Sequence, residues 1–302
     1  MRMKRLLLLS IILLTACGYP KNDSDKFFRE DGTLREIDTY EKGIISEVEI
    51  YLQDGTLEQR DTYKKGVISK VEIYSEDGTL QQIQFYENGA VSKYEFFRED
   101  GTIEQIDTYE NGVISKTEGF REDGILKQID TFETGNASKY EFFREDGTLQ
   151  KIKFLENGVT SKYEFFREDE TLKQIDTFEN GVQSKIALFN EDETLKQIDT
   201  FENGIVSKYE FYNENETLKQ MQSYKKGIRS ETAFHREDGT IEEIRLFEDG
   251  ILSENDFYDE DGTLKKIVTF KNGLVSQSGY YSEDGTIEQV DTYENGVYKN
   301  SQ

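Results

Sequence analysis

The sequence predicts an all-β fold: an elongated, single-layer antiparallel meander of twelve 23-residue β-hairpin repeats. Three observations carry that expectation. One glycine series runs 43, 66, 89, 112, 135, 158, 181, 204, 227, 250, 273 and 296, in unbroken steps of 23. A second series lies on the same grid at 32, 55, 78, 101, 124, 147, 239, 262 and 285, and Glu170, Glu193 and Glu216 fill its three gaps. Between the two series lie segments rich in β-branched and aromatic residues, bounded by Asp-Gly and Asn-Gly, which is the signature of hairpins. No stretch after residue 26 has helical apolar spacing.

The first element is a targeting segment. Arg2, Lys4 and Arg5 precede an apolar run from Leu6 to Leu14 that only Ser10 interrupts. The run is too short to span a bilayer as a stable helix, so residues 1–16 read as a signal peptide. Leu14-Thr15-Ala16-Cys17 resembles the bacterial lipobox, which implies that Cys17 is the site of lipid attachment. Several acyl chains on one residue anchor stably. Cys17 is the only cysteine, so lipidation leaves no thiol for disulfides, metal or nucleophilic catalysis. Residues 17–26, with the only proline at Pro20, are expected to be the lipidated Cys and a polar linker. The repeat array is expected over residues 27–302. Gly18 follows the Cys where inner-membrane lipoproteins carry Asp, so the resemblance favours the outer membrane or cell surface.

Within each repeat, Lys42-Gly43 is expected to be a two-residue turn. It sets Glu41 opposite Ile44, Tyr40 opposite Ile45, Thr39 opposite Ser46, Ile37 opposite Val48 and Leu34 opposite Tyr51. The same register sets acids opposite lysines at Asp61–Lys70, Asp107–Lys116, Asp130–Lys139, Asp176–Lys185 and Asp199–Lys208. A period of 23 is odd, so the second loop needs an odd count, most simply the three residues Gln53-Asp54-Gly55. Its last residue is expected in the left-handed region, where Glu170, Glu193 and Glu216 would each be strained by roughly 1–3 kcal/mol. In this register one face holds Leu34, Glu36, Asp38 and Tyr40 with Ile45, Glu47, Glu49 and Tyr51. The other holds Arg35, Ile37 and Thr39 with Ser46, Val48 and Ile50. Neither face is wholly apolar, which predicts a sheet wet on both sides rather than half of a sandwich.

The charge narrows the function classes. A net −25 becomes −28 once the three cations of residues 1–16 are removed. Such a surface lacks the Lys and Arg that nucleic acid demands. His235 is the only histidine and sits where the other eleven repeats carry Phe or Tyr at the Tyr51 position, so it reads as a substituted packing residue. A catalytic triad or a His-based zinc site has no material, and no cofactor or metal is expected. The Glu-Asp-Gly turns could present oxygens to a hard cation, but their spacing matches no calcium loop and solvated turn residues are the favoured reading. The chain is not expected to be an enzyme, because no repeat looks irreplaceable.

Tyr109-Glu110-Asn111-Gly112-Val113-Ile114-Ser115-Lys116 and its eleven copies resemble the bacterial variant of the membrane occupation and recognition nexus (MORN) repeat. The likeness covers about residues 27–302. It implies strings of antiparallel hairpins used as scaffolds, membrane-associated or partner-binding, with some bacterial members carrying an antitoxin label. The leading expectation is a surface interaction or adhesin-like lipoprotein with a protein or glycan ligand. An antitoxin- or immunity-like protein binder and a passive envelope spacer are the alternatives.

Overall fold

The computed structural model describes residues 23–302. Every described element is a β-strand, and no helix occurs among the described residues. The chain divides into two compact units, the first ending at Gly112 and the second running from Val113 to Gln302. In the first unit the strands are β1 (Ser24–Phe28), β2 (Leu34–Glu41), β3 (Ile44–Tyr51), β4 (Leu57–Lys64), β5 (Val67–Tyr74), β6 (Leu80–Glu87), β7 (Ala90–Phe97) and β8 (Ile103–Glu110). The second unit opens with β9 (Val113–Phe120), β10 (Leu126–Glu133), β11 (Asn136–Phe143), β12 (Leu149–Glu156), β13 (Val159–Phe166) and β14 (Leu172–Glu179). It continues with β15 (Val182–Phe189), β16 (Leu195–Glu202), β17 (Ile205–Tyr212), β18 (Leu218–Lys225), β19 (Ile228–His235) and β20 (Ile241–Glu248). It closes with β21 (Ile251–Tyr258), β22 (Leu264–Lys271), β23 (Leu274–Tyr281), β24 (Ile287–Glu294) and β25 (Val297–Ser301). Inside each unit every strand pairs antiparallel with the next in sequence, as in β2–β3, β3–β4, β10–β11 and β11–β12. The predicted meander of hairpins is what forms.

Ser24, Asp25 and Lys26 were expected in the polar linker. They already belong to β1, where Asp25 pairs with Asp38 and Lys26 with Ile37.

The two turn types follow from their residues. Lys42 and Gly43 have φ of 51° and 80°, the two positive values of a type I′ turn, whose twist suits a two-residue hairpin. Asn occupies the first position in most repeats because its short side chain tolerates that backbone. The other loop is the expected three-residue one. Leu52 N–H donates to Thr56 O at 2.8 Å, and Gly55 N–H donates back to Leu52 O at 3.1 Å, with Gly55 at φ 92°. In most loops an Asp two residues before a Thr ties the loop down: Asp100 Oδ1 accepts from both the backbone N–H of Thr102, at 2.9 Å, and its hydroxyl, at 2.6 Å. Those bonds to the charged form hold Asp100 below the usual carboxylate range, and a further serine hydroxyl lowers Asp77 and Asp284 to about 2.

The register beyond the two-residue turn differs from the sequence expectation. Glu41 faces Ile44 and Tyr40 faces Ile45, as predicted, but Thr39 then faces Glu47, leaving Ser46 as a bulge. The cause is local: Ser46 Oγ donates to Thr39 O at 3.1 Å, and Ser69, Ser184 and Ser207 make the same bond in their repeats. The extra residue stays in the strand because its hydroxyl serves a carbonyl that the slipped ladder would otherwise strand. A second bulge follows the three-residue loop, where Tyr51 faces Leu57 but Ile50 faces Gln59, leaving Glu58 extra.

Two expectations fall with the register. The acid–lysine pairs lying within a unit do not form: Asp61, Asp130, Asp176 and Asp199 face Val71, Tyr140, Ile186 and Tyr209, and the lysines face threonines. Leu34 does not face Tyr51; that tyrosine pairs with Leu57 of the next strand. The face assignment changes too. Val48 and Ile50 join Asp38, Glu36 and Tyr40, whereas Glu47, Glu49 and Tyr51 join Ile37 and Thr39.

Nearly every strand residue is half-buried, as a single layer dictates. Among the described residues the buried apolar ones are Val71, Ala233 and Val268, and no side chain is fully enclosed. Burial concentrates in the middle row of one face, where Val71, Thr232, Val268 and Ser278 lie beneath the flanking rows. Stability therefore comes from neighbour-on-neighbour contacts rather than from a central core.

Candidate interaction surface

Corrected for the bulges, the two faces differ in chemistry. The first is aromatic. Tyr94 and Phe96, two apart on β7, stack with ring centroids 5.9 Å apart, and Tyr94 meets Tyr109 edge-on at 5.5 Å. Tyr163–Phe165 with Phe178, and Tyr209–Phe211 with Tyr224, repeat the arrangement at 5.8 and 5.7 Å and at 6.3 and 5.5 Å. Such pairs add to area burial. Between the rings several even-numbered strands carry a Gln–Asp couple: Gln59 Nε2 donates to Asp61 Oδ1 at 2.7 Å, and Gln174 to Asp176 at 2.6 Å. Burial pushes Asp61, Asp130 and Asp199 above the usual carboxylate range.

The second face is charged. Its lysines pair with the glutamate two residues on, as in Lys70–Glu72 at 3.0 Å, Lys93–Glu95 at 2.7 Å, Lys139–Glu141 at 3.1 Å and Lys208–Glu210 at 3.0 Å. Arg60 reaches Glu49 at 2.9 Å and lies 3.7 Å from both Glu47 and Glu72. Tyr51 donates to Glu49 at 2.7 Å, and its hydroxyl is pushed up to about 12 by burial and that bond. On this face Asp256 is raised to about 6 by burial and by Glu254 beside it, and its Oδ1 has no partner.

One edge is stitched by a device the sequence reading missed. Arg144 donates through Nη1 to Leu149 O at 2.6 Å in its own loop and through Nη2 to Phe166 O of the next repeat. Arg121, Arg167 and Arg236 bridge consecutive repeats in the same way. The signal was present as a recurrent Arg before Glu-Asp in Phe-Phe-Arg-Glu-Asp-Gly. Only the ladder shows which carbonyls come within its reach.

Glu170, Glu193 and Glu216 keep the left-handed backbone, at φ 64°, 64° and 60°. Each puts its carboxylate to use. Glu170 Oε1 accepts from Leu149 N–H at 3.0 Å, Glu193 from Leu172 at 2.8 Å and Glu216 from Leu195 at 3.2 Å. Three successive repeats thus trade turn glycine for a side-chain cap on the repeat before.

His235 lies at the Tyr51-type position, facing Ile241. Its Nδ1 is buried without a partner, and burial lowers its pKa. Among the described residues no group of three or more His, Cys, Asp or Glu is arranged around a metal position. The signal peptide, the first residues of the linker and Cys17 lie outside the described residues.

Among curated proteins none matches the chain. Among solved structures, the accessory secretory protein 1, 2 and 3 assembly of Streptococcus pneumoniae is similar at 16% identity over 33% of this chain and 19% of that one, with a TM-score of 0.26. The Photorhabdus luminescens Tc holotoxin pore is similar at 10% identity over 90% and 19%, with a TM-score of 0.18. A porin-like protein from Bacteroides uniformis is similar at 8% identity over 91% of both chains, with a TM-score of 0.14. The chain spans about a fifth of the first two, and at these scores the likenesses carry no functional argument. The family model described as MORN repeat variant matches residues 70–88 and 257–272. Both matches end on the Asn of an Asn-Gly turn, Asn88 and Asn272, a whole number of 23-residue periods apart, so they fall on the same part of the repeat. The repeats are thus similar to the MORN repeat variant in these two stretches.

Proposed function

We propose that this chain is a membrane-anchored repeat lipoprotein, tethered through Cys17, that acts as a surface interaction or adhesin-like scaffold and not as a catalyst. The observation that carries the reading is the aromatic face. Ring pairs such as Tyr94–Phe96, Tyr163–Phe165 and Tyr209–Phe211 recur in several repeats, half-exposed and flanked by hydrogen-bonding Gln–Asp couples. Repeated rows of this kind supply many equivalent contacts instead of one cleft, which suits adhesion better than turnover. The lipobox ending in Cys17 supplies the tether, and Gly18 favours the outer membrane or cell surface. The ligand classes that suit this surface are protein and glycan; nucleic acid does not suit a net −25.

The test is protease shaving of intact cells, read by immunoblotting, with a lysed control and a Cys17→Ala chain. Surface display predicts loss of the intact protein from whole cells and release of the Cys17→Ala chain from the membrane fraction. Cleavage only after lysis would remove the adhesin-like role and leave a periplasmic scaffold.

A further inference from the structure

Two adjoining strands, β11 and β12, depart from their neighbours at four places on the aromatic face. On β12, Lys151 and Lys153 stand where the neighbouring even-numbered strands carry the couples Gln128–Asp130 and Gln174–Asp176. Leu155 stands where the other eleven repeats have Tyr or Phe. On β11, Ala137 takes the position of Ile45, Ile68, Val91 and Ile114. Losing a ring and a branched side chain together opens a notch of about 780 Å³ between the Thr134-Gly135 and Asn157-Gly158 turns. Ala137 and Leu155 floor it, Tyr140 walls it, and Glu133, Asn136 and Glu156 stand at its turn-side rim.

Neither lysine lines the notch, but both lie on the same face of β12 as Leu155, with Lys153 two residues inward of it. Lys153 faces Tyr140 across the ladder, and its ammonium is 5.7 Å from that ring and 6.0 Å from the ring of Tyr163. Lys151 lies 4.5 Å from the Phe142 ring and 5.6 Å from that of Tyr163. Lysines on the opposite face are ion-paired, as Lys139 and Lys162 are to Glu141 and Glu164. Among the described residues neither Lys151 nor Lys153 has a carboxylate within ion-pair distance. Two like charges, two residues apart on one side of a strand, raise each other's energy, and rings offset only part of that. An anion entering the notch relieves both.

The notch therefore has cations beside it, an aromatic wall, and hydrogen-bond acceptors at the rim. We propose that it binds an acidic sugar residue of a glycan. The apolar side of the sugar ring lies on Tyr140 above Ala137 and Leu155. Its hydroxyls donate to Glu133 and Glu156, and its carboxylate accepts from Lys153, with Lys151 reinforcing the field. The inference rests on the interaction reading and names a ligand for it at one repeat.

The test titrates the full chain, held in detergent micelles, with a glucuronate-containing tetrasaccharide and with its carboxyl-reduced neutral analogue, by calorimetry. Two variants restore the residues that other repeats use: Leu155→Tyr, which fills the notch, and Lys151→Gln with Lys153→Asp. Both are expected to keep the circular dichroism of the parent, since neighbouring repeats fold with those residues. Binding of the acidic probe, at least tenfold weaker binding of the neutral one, and at least tenfold loss in each variant are expected. No binding of the acidic probe, equal binding of the neutral one, or unchanged binding by Leu155→Tyr would overturn the proposal. A chain that is shaved from intact cells yet ignores the acidic probe loses this site and keeps its surface role.

Discussion

Replacing Arg144 by Met isolates the arginine stitch. Met keeps most of the apolar stem and removes the donors that reach Leu149 O, at 2.6 Å, and Phe166 O. Bonds from a charged donor are worth about 1.5–3 kcal/mol each when sheltered from water. These lie at a half-exposed edge where water replaces them in part, so the pair together is worth about 1.5 kcal/mol. In an array stabilised by nearest neighbours that loss stays local. Hydrogen exchange should therefore accelerate roughly tenfold, the equivalent of 1.4 kcal/mol, in peptides covering residues 143–150 and 164–172. Exchange in β20 and β21 should not change. Asn190 and Asn213, which occupy the Arg position without spanning to the next repeat, bond only within their own loops, at 2.9 Å to Thr194 and Thr217. Loops there should already exchange faster than the Arg144 loop in the parent chain. Unaltered protection around Leu149 and Phe166, or a uniform loss over the whole second unit, would refute the reasoning.

Three further perturbations probe other parts of the structure. Asp256→Asn should stabilise the second unit at pH 7.5 and not at pH 4. The folded carboxyl titrates near 6 against about 3.9 unfolded, so its ionisation removes stability as pH rises from 4 through 6. Solvent screening of this half-exposed group reduces the gain to about 1 kcal/mol, read as a shift in urea midpoint at the two pH values. Glu193→Ala should be less stable than either the parent or Glu193→Gly, because it keeps a left-handed backbone cost of about 1 kcal/mol and loses the cap on Leu172. The Leu172 amide should exchange faster in both variants. Ser184→Ala should cost about 1 kcal/mol, the bond to Thr177 O. Deleting Ser184 removes the extra residue and leaves Thr177 opposite Lys185 and Asp176 opposite Ile186, so the β14–β15 hairpin should keep its protection; loss of protection across the whole hairpin would discount the bulge.

Much of this was legible from the glycine grid alone: strand positions, both turn types and the left-handed site at Glu170. The bulges were not, for an arithmetical reason. Ser46 adds a residue on one side of the period and Glu58 on the other, and in-register stacking of Thr39, Glu47 and Thr62 survives both, so a repeat of 23 looks the same with or without them. Faces assigned without the bulge placed Val48 and Ile50 away from Tyr40, which hid the aromatic surface. Leu155, Ala137, Lys151 and Lys153 already shared a face in the sequence register, but the rings of Tyr140, Phe142 and Tyr163 join them there only once the bulges are placed. The cap from Glu193 to Leu172 was equally hidden, because it spans 21 residues and depends on how successive loops come together.

The two cancelling bulges have a genetic consequence. Because each repeat returns its rows to the same alignment with which it began, a unit gained or lost by recombination between neighbouring copies of the coding sequence leaves every remaining ladder intact. Copy number can then change in single steps without any compensating point mutation, whereas insertion of one codon inside a strand is penalised at once. Selection on reach or on ligand number can act through gene length alone, and an unusual repeat such as the one holding Lys151 and Lys153 can be carried along, duplicated or discarded as a block.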